Sequence, residues 1–409
     1  MRGAGAADRV ADGETPAAGR GTAGEVFLAF LKLGLTAFGG PVAHLGYFRD
    51  ELVVRRRWID EAGYADLVAL CQFLPGPASS QVGFALGLRR GGFAGGLAAW
   101  TAFTLPSAIL LAGFAYGAAF LAGPTGLALV HGLKLVAVAI VAHAVWGMAR
   151  SLAPDLPRGL IAVAAFALVL VAGGVAGQLG AIAVGAVAGL AIGRSPTPPS
   201  QVAGGFRVGR TTALACIGAF AALLVALPLA VAATGNQGVA VFDAFYRSGA
   251  LVFGGGHVVL PLLQAEVVPT GWISDDRFLA GYGAAQAVPG PLFAFAAYLG
   301  WSMATVPNGI AGAAIALVAV FLPGLLLVTG ALPFWDRLRA RPNARAAMRG
   351  TNAAVVGILA AALYDPVWTG SVRNLVDAGI ALLGLLALLK GARPWQVVAG
   401  VTAAAMVVG

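Results

Sequence analysis

From Val26 to the C-terminus the chain alternates long apolar runs with short polar breaks. A helix needs about 20 mostly apolar residues to cross a bilayer core of about 30 Å. Runs of this order occupy 93–120, 127–148, 160–176, 178–193, 211–233, 306–332, 351–364, 374–389 and 394–409, and each predicts a spanning helix. Two more regions, 25–88 and 240–302, are also apolar but are punctured by glycine and proline. The first 24 residues are polar and rich in Ala and Gly, without an apolar core. They predict a disordered cytoplasmic tail and not a signal peptide. The expected fold is an all-α polytopic membrane protein.

Composition sharpens this. Of 409 residues, 59% are hydrophobic and 11% are charged. Soluble domains carry about 25% charge, so an ordinary soluble enzyme, a disordered chain and a nucleic-acid binder are excluded. Cys71 and Cys216 lie far apart in apolar surroundings and imply neither a disulfide framework nor a metal site.

The chain repeats itself. Phe30, Lys32, Gly34 and Phe38-Gly39-Gly40 match Phe245, Arg247, Gly249 and Phe253-Gly254-Gly255, and the register holds to Glu51 and Glu266. With one residue deleted, Trp58-Ile59 matches Trp272-Ile273, Gln72 matches Gln286, and Pro75-Gly76-Pro77 matches Pro289-Gly290-Pro291. Leu105-Pro106 matches Leu322-Pro323. Chance similarity of apolar stretches would match Leu and Ala, not Trp and Pro-Gly-Pro. The organisation expected is a tail (1–24), a first repeat (25–195), a linker loop with a connecting span (196–239) and a second repeat (240–409).

Short cytoplasmic loops are enriched in Lys and Arg. Arg89-Arg90, Arg150 with Arg158, Arg194 with Arg207 and Arg210, the run Arg337 to Arg349, and Lys390 with Arg393 are therefore expected inside. Loops 121–126, 234–239 and 303–308 have no basic residue and are expected outside. The first repeat is thus entered from the cytoplasm and the second from outside, so the two are inverted. That architecture is common among secondary transporters, whose sites lie at broken helices near the midplane. The net charge of +9 becomes mainly a topology signal, with no nucleic-acid partner implied.

The breaks are Gly39-Gly40-Pro41, Pro75-Gly76-Pro77, Gly254-Gly255-Gly256 and Pro289-Gly290-Pro291. Proline removes a donor and glycine permits positive φ. Two readings stand: kinks in continuous helices, or half-helices doubled back as re-entrant hairpins. Arg49, Arg55, Arg56 and Arg57 favour hairpins, which keep them inside. A helix restarting after Pro-Gly-Pro offers unpaired N–H groups to an anion. In the first repeat Ser79, Ser80 and Gln81 add side-chain donors, whereas Leu292-Phe293-Ala294 add none. The tighter contact is expected in the first repeat.

Ionisable groups inside the membrane are costly and point to function. Lys32 and Arg247 are repeat-related cations that either offset a bound anion or snorkel. Glu51 and Glu266, and His44 and His257 beside the breaks, are candidates for proton coupling, with simple ion pairing as the alternative for the glutamates. His131 and Lys134 are read as snorkelling or hydrogen-bonded, His143 lies deeper, and Asp243 and Asp365 are read as interfacial. The sequence contains no P-loop, His-Glu-x-x-His or Gly-x-Ser-x-Gly motif, so no enzyme, metal or cofactor is expected.

Taken together, Phe30 to Pro41, Trp58-Ile59, the Gln72 to Pro77 run with Ser79-Ser80-Gln81, and Phe253 to His257 with Pro289-Gly290-Pro291 resemble the chromate ion transporter family in its long, two-domain form. The resemblance covers about 24–195 and 240–390. It implies a multi-pass carrier of the plasma (inner) membrane that exports chromate and confers chromate resistance, with sulfate as a structural analogue. It also implies that the Gly-Gly-Pro and Pro-Gly-Pro segments carry transport. Gly256 stands where the first repeat has Pro41. The expected mechanism is alternating access, with the dianion near Ser79, Ser80 and Gln81. The alternatives are another anion, or a membrane-embedded enzyme or assembly factor. The expected partners are the oxyanion and the lipid bilayer, with a homodimer as a candidate assembly.

Overall fold

The computed structural model describes residues 21–118, 123–193, 208–335 and 341–408. The expected tail up to residue 20, linker residues 194–207 with Arg194 and Arg207, and the basic residues Arg337 and Arg339 lie outside the described residues. Among the described residues there are sixteen α-helices and no strand.

The first repeat begins with α1 (Ala23–Thr36), opened by the Thr22 hydroxyl, which accepts from the Glu25 N–H. The chain turns at Gly39 in the left-handed region, φ +104°. It returns through α2 (Gly40–Phe48), which runs on as a π-helical stretch, Arg49–Arg55. Then α3 (Glu61–Phe73), capped by Asp60, leads to Pro75-Gly76-Pro77 and α4 (Ala78–Ala118). α4 leaves helical backbone values at Gly91 and Gly92, which separates a short first part from a spanning second part.

These segments are hairpins. The Gly21 N–H donates to Arg90 O (3.1 Å), and the Arg90 guanidinium donates to Glu25 (3.0 Å). Arg56 and Arg90 lie 5.8 and 5.6 Å from the Trp58 ring centroid, and Arg89 donates to Trp58 O (3.3 Å). The start of α1, the α2–α3 connection and the end of the first part of α4 therefore share one face of the bundle. α1, with 14 residues, is about 21 Å long at 1.5 Å per residue, too short to cross.

The second repeat copies this plan with α9 (Gln237–Ala250), α10 (Val259–Val267), α11 (Asp275–Ala285) and α12 (Phe295–Ser302). Gln237 bonds Thr305 (3.2 Å), and the Ala304 N–H donates to Trp272 O (2.8 Å). Its hairpins too return to the face they left.

Long helices hold the hairpins: α5 (Pro124–Leu152), α6 (Leu156–Ala172) and α7 (Gly174–Ile192) in the first repeat. The second has α13 (Gly309–Ala331), α14 (Pro342–Ala362), α15 (Leu375–Leu389) and α16 (Pro394–Val408). α8 (Arg210–Thr234) joins the two. α14 packs on α6 and α7 while α5 packs on α15 and α16, so each repeat clasps the other in the same way. Small residues permit the close approach: a Cβ on Gly189 would meet Ala346 O, and one on Gly132 would lie 2.8 Å from Thr402 Cα.

The expected spans are present with three adjustments. The break expected near residue 177 falls at Gly173 and Gly174, both with positive φ. The span expected from 351 starts at Pro342. Among the described residues, six helices are long and apolar enough to cross a membrane, whereas α6, α15 and α16 are apolar but shorter. α8 buries only Ala213 and exposes Leu214, Val225 and Leu229. Apolar surface of this extent is what lipid covers.

Two outcomes test this fold. In a chain with Cys71 and Cys216 replaced, Arg55→Cys reacts with an impermeant maleimide from the same side of the membrane as Gly24→Cys, and Thr270→Cys reacts from the other side. Gly76→Ala and Gly290→Ala each lower detergent-state stability by about 1–3 kcal/mol or more, because both positions hold positive φ. Gly113→Ala, with open space around it, leaves the melting temperature unchanged or slightly raised.

Candidate functional site

The four breaks meet at the centre of the molecule, and their backbones satisfy one another across the repeats. The Gly76 N–H donates to Val252 O (2.7 Å), and the Gly290 N–H donates to Ala37 O (2.9 Å). Gly76 and Gly290 are repeat images, as are Ala37 and Val252. The pair of bonds is therefore one interaction made twice about a pseudo-two-fold axis. A Cβ on Gly256 would lie 2.9 Å from Pro41, and one on Gly40 would lie 4.0 Å from His257 Nε2, so the two glycine breaks also face each other.

α4 and α13 cross behind the breaks. A Cβ on Gly76 would lie 3.0 Å from Gly324 Cα, and one on Gly290 would run into Ser107 Oγ. A Cβ on Gly34 would lie 2.8 Å from Ala102 O and Phe103 O, and one on its image Gly249 would run into Val320 O. Only glycine lets these backbones approach so closely.

The polar side chains at the centre come mainly from the first repeat. Gln81 Nε2 donates to Pro75 O (3.0 Å) and Gly324 O (3.1 Å), locking the restart of α4 to α13. The Ser79 hydroxyl and His44 Nδ1 are 3.5 Å apart. Ser80 Oγ, His44 Nε2, Gln81 Oε1 and Thr104 Oγ1 are buried without a hydrogen-bond partner. A buried polar atom left so is expensive. The first internal bond of α4 runs from the Gln81 N–H to Pro77 O, so the N–H groups of Ala78, Ser79 and Ser80 precede the helical ladder. In the second repeat the restart is a 3-10 turn, Leu292–Ala294, made of apolar residues. His257 is held by the Tyr282 hydroxyl (2.7 Å).

The repeat-related charges sit apart from this centre, in ion pairs. Lys32 donates to Glu51 (2.9 Å), which Arg55 (3.1 Å) and Arg56 (2.9 Å) also engage. Arg247 pairs with Glu266 (3.0 Å) and with Asp243 (3.0 Å). The Lys32–Glu51 and Arg247–Glu266 pairs tie the two arms of each first hairpin together. Sequence reasoning did not pair these residues, although each pair has the same spacing of 19. Asp243, read as interfacial, is 4% exposed; its one-turn spacing from Arg247 was the available signal. Asp365 is exposed and accepts from Thr369 (2.7 Å). His131 contacts Asp377 (2.9 Å), and Lys134 donates to Asp276 (2.6 Å).

The repeats differ in how their second hairpins are covered. On α11, Leu279 and Gly283 are buried, and a Cβ on Gly283 would run into the α5 backbone at Leu133. The Lys134–Asp276 pair closes the same contact. The images of Asp276, Leu279, Gly283 and Gln286 on α3 are Ala62, Ala65, Ala69 and Gln72, and all four are exposed. Likewise a Cβ on Gly254 would touch Leu152 (3.1 Å) and Val355 (3.4 Å), whereas its image Gly39 is exposed. The hairpins of the second repeat are packed shut, and those of the first are open along one side.

The chain matches the family described as Chromate transporter over residues 24–192 and again over 239–409. It is 32% identical over 372 residues to a chromate transport protein of Pseudomonas aeruginosa, covering 83% of this chain and 80% of the relative. It is 30% identical over 366 residues to a probable chromate transport protein of Synechococcus elongatus, covering 88% of each. It is 29% identical over 382 residues to a chromate transport protein of Cupriavidus metallidurans, covering 93% of this chain and 90% of the relative. No solved structure matches. The double match, one on each of two inverted repeats whose broken helices interlock, means that the chain belongs to the chromate transporter family.

Proposed function

We propose that the chain carries a tetrahedral oxyanion, chromate first, out of the cytoplasm by alternating access through the centre where the four breaks meet. The observation that carries this reading is the restart of α4. It offers free N–H groups beside Ser79 and the unpartnered Ser80 Oγ and His44 Nε2, at a crossing point shared by both repeats. A helix N-terminus favours an anion by about 0.3–1 kcal/mol, and up to about 2 kcal/mol when partly buried. Stripping water from a dianion is far more costly, so convergent donors are needed. With Ser79 donating to Nδ1, His44 carries its proton on Nε2 and becomes one of them. Gly39, Gly40, Pro41, Gly254, Gly255, Gly256, Pro289, Gly290 and Pro291 supply the backbone shape of the cavity wall.

The face holding Arg55, Arg56, Arg89 and Arg90 is the cytoplasmic one by the positive-inside rule, which puts the N-terminus in the cytoplasm of a plasma-membrane protein. Around Glu51, three cations meet one carboxylate, a surplus that draws a dianion to the mouth. The open side of α3 begins near this face at Ala62 and runs along the helix to Gln72, next to the central break. The arrangement fits a carrier waiting for cytoplasmic substrate, with the Lys134–Asp276 pair holding the outer half closed. Exit of a dianion against an inside-negative potential is favoured by about 2.3 kcal/mol per charge per 100 mV.

The test is flux in membrane vesicles of both orientations, comparing chromate, sulfate and molybdate. Chromate moves fastest, and Ser80→Ala or His44→Ala slows it about tenfold, the factor equivalent to about 1.4 kcal/mol of lost contact. Faster movement of sulfate would reassign the substrate, and no movement of any oxyanion would overturn the carrier reading. Asp276→Asn, which removes the negative charge paired with the buried Lys134, loosens the outer closure. Labelling of Thr36→Cys from the cytoplasmic side then falls relative to the parent.

A further inference from the structure

We propose that Asp243 and Glu266, held on the single guanidinium of Arg247, form a proton-binding dyad opening to the outer face. The inference rests on the transport reading above and assigns it a coupling ion.

The geometry is that of a shared cation. Arg247 donates through Nε to Asp243 Oδ2 (3.1 Å) and through Nη2 to Glu266 Oε2 (3.0 Å). A further contact joins Nη1 to Glu266 Oε1 at 3.0 Å. Asp243 is 4% exposed, and its Oδ1 is buried with no partner. With both carboxylates ionised the group carries one net negative charge in a medium of low dielectric. Two carboxylates on one site cannot both hold their charge cheaply, and binding one proton makes the group neutral. The proton adds to a carboxylate oxygen, and the guanidinium stays ionised and keeps its bonds to the remaining charge.

Among the described residues, no other charge is placed to neutralise the group. α13 and α7, packed on α9 and α10, contain no ionisable residue. α8 brings Arg210 and Cys216, ten and four residues before Phe220, whose carbonyl accepts from the Tyr246 hydroxyl of α9. α10 contributes only Glu266, with His257 just before it bonded to Tyr282. Of the α11 charges, Asp275 is bonded by Gln264 and Asp276 by Lys134, and Arg277 is exposed. Arg345 and Arg349 of α14 lie in its first three turns, and Arg349 donates to Gly193 O (2.8 Å).

The repeat supplies an internal comparison. The image of Asp243 is Leu28, which is 67% exposed on an outer surface of α1. The first repeat therefore has one carboxylate among three cations, and its Glu51 has no reason to take a proton. The second has two carboxylates on one cation. Glu266 lies one turn before Thr270, which is exposed at the outer end of the hairpin, and this gives the proton its route. Uptake there and release after the hairpins rearrange would couple inward proton movement to outward anion movement.

The test has two independent readouts. In infrared difference spectra of the purified full-length protein between mildly alkaline and mildly acid buffer, a protonated-carboxyl C=O band appears. It is lost in Asp243→Asn and in Glu266→Gln, and it is retained in Asp243→Glu, which preserves the dyad and controls for misfolding. In vesicles, an inward proton gradient accelerates chromate exit from the parent, and Asp243→Asn loses that acceleration. A band that persists in both Asp243→Asn and Glu266→Gln, or equal acceleration in parent and variant, overturns the proposal. A band that behaves as expected in a protein that moves no oxyanion upholds the proton site and overturns the substrate reading instead.

Discussion

The structure depends on how backbone N–H and C=O groups freed at the helix breaks are satisfied. In hydrocarbon each unpaired group costs several kcal/mol, so broken helices survive only where protein or a wet cavity receives them. Here part of the need is met reciprocally: the turn of one repeat accepts the N–H offered by the Pro-Gly-Pro break of the other, twice over. Neither repeat can complete its own turns alone. The glycines at Gly76 and Gly290 follow from this, since the donor must approach a neighbouring helix more closely than any side chain permits. The polar cluster at the centre is positioned as a result, because Gln81 reads both Pro75 and Gly324 and so ties the restart of α4 to the opposing repeat.

Much of this was legible in the sequence, for identifiable reasons. The spans showed because the lipid-facing and core-facing sides of a membrane helix are both apolar, so length alone marks them. The repeat showed because Trp58 and Trp272, and the two Pro-Gly-Pro breaks, are rare residues at constant offset. The hairpin form of the broken segments was favoured by four arginines, and contacts such as Gly21 with Arg90 bring their ends to one face of the bundle. The Lys32–Glu51 and Arg247–Glu266 pairs were not legible, because the chain between them reverses direction and their spacing of 19 matches no helical period. The burial of Asp243 was hidden for a related reason: a carboxylate near the end of an apolar run reads as interfacial unless one knows that the helix, α9, ends inside the bundle at Ala250.

The two repeats share a backbone plan but not a charge plan. The first hairpin of the first repeat surrounds one carboxylate with three cations, and its counterpart in the second repeat surrounds one cation with two carboxylates. A symmetric scaffold has no preferred direction, so any sidedness must come from such differences. The exposed face of α3 against the packed face of α11 is the same asymmetry expressed in packing.

α8 has a consequence out of proportion to its sparse contacts. Each repeat contains two hairpins that return to the face they left and, when its shorter apolar helices cross together with the full-length ones, four crossings, an even number. Two copies fused head to tail would therefore insert in the same orientation and could not interlock. One extra crossing between them inverts the second copy, and α8 supplies it while burying almost nothing. Its contribution to the fold lies in parity and not in packing, and its packing asks little of its sequence beyond apolar character and length.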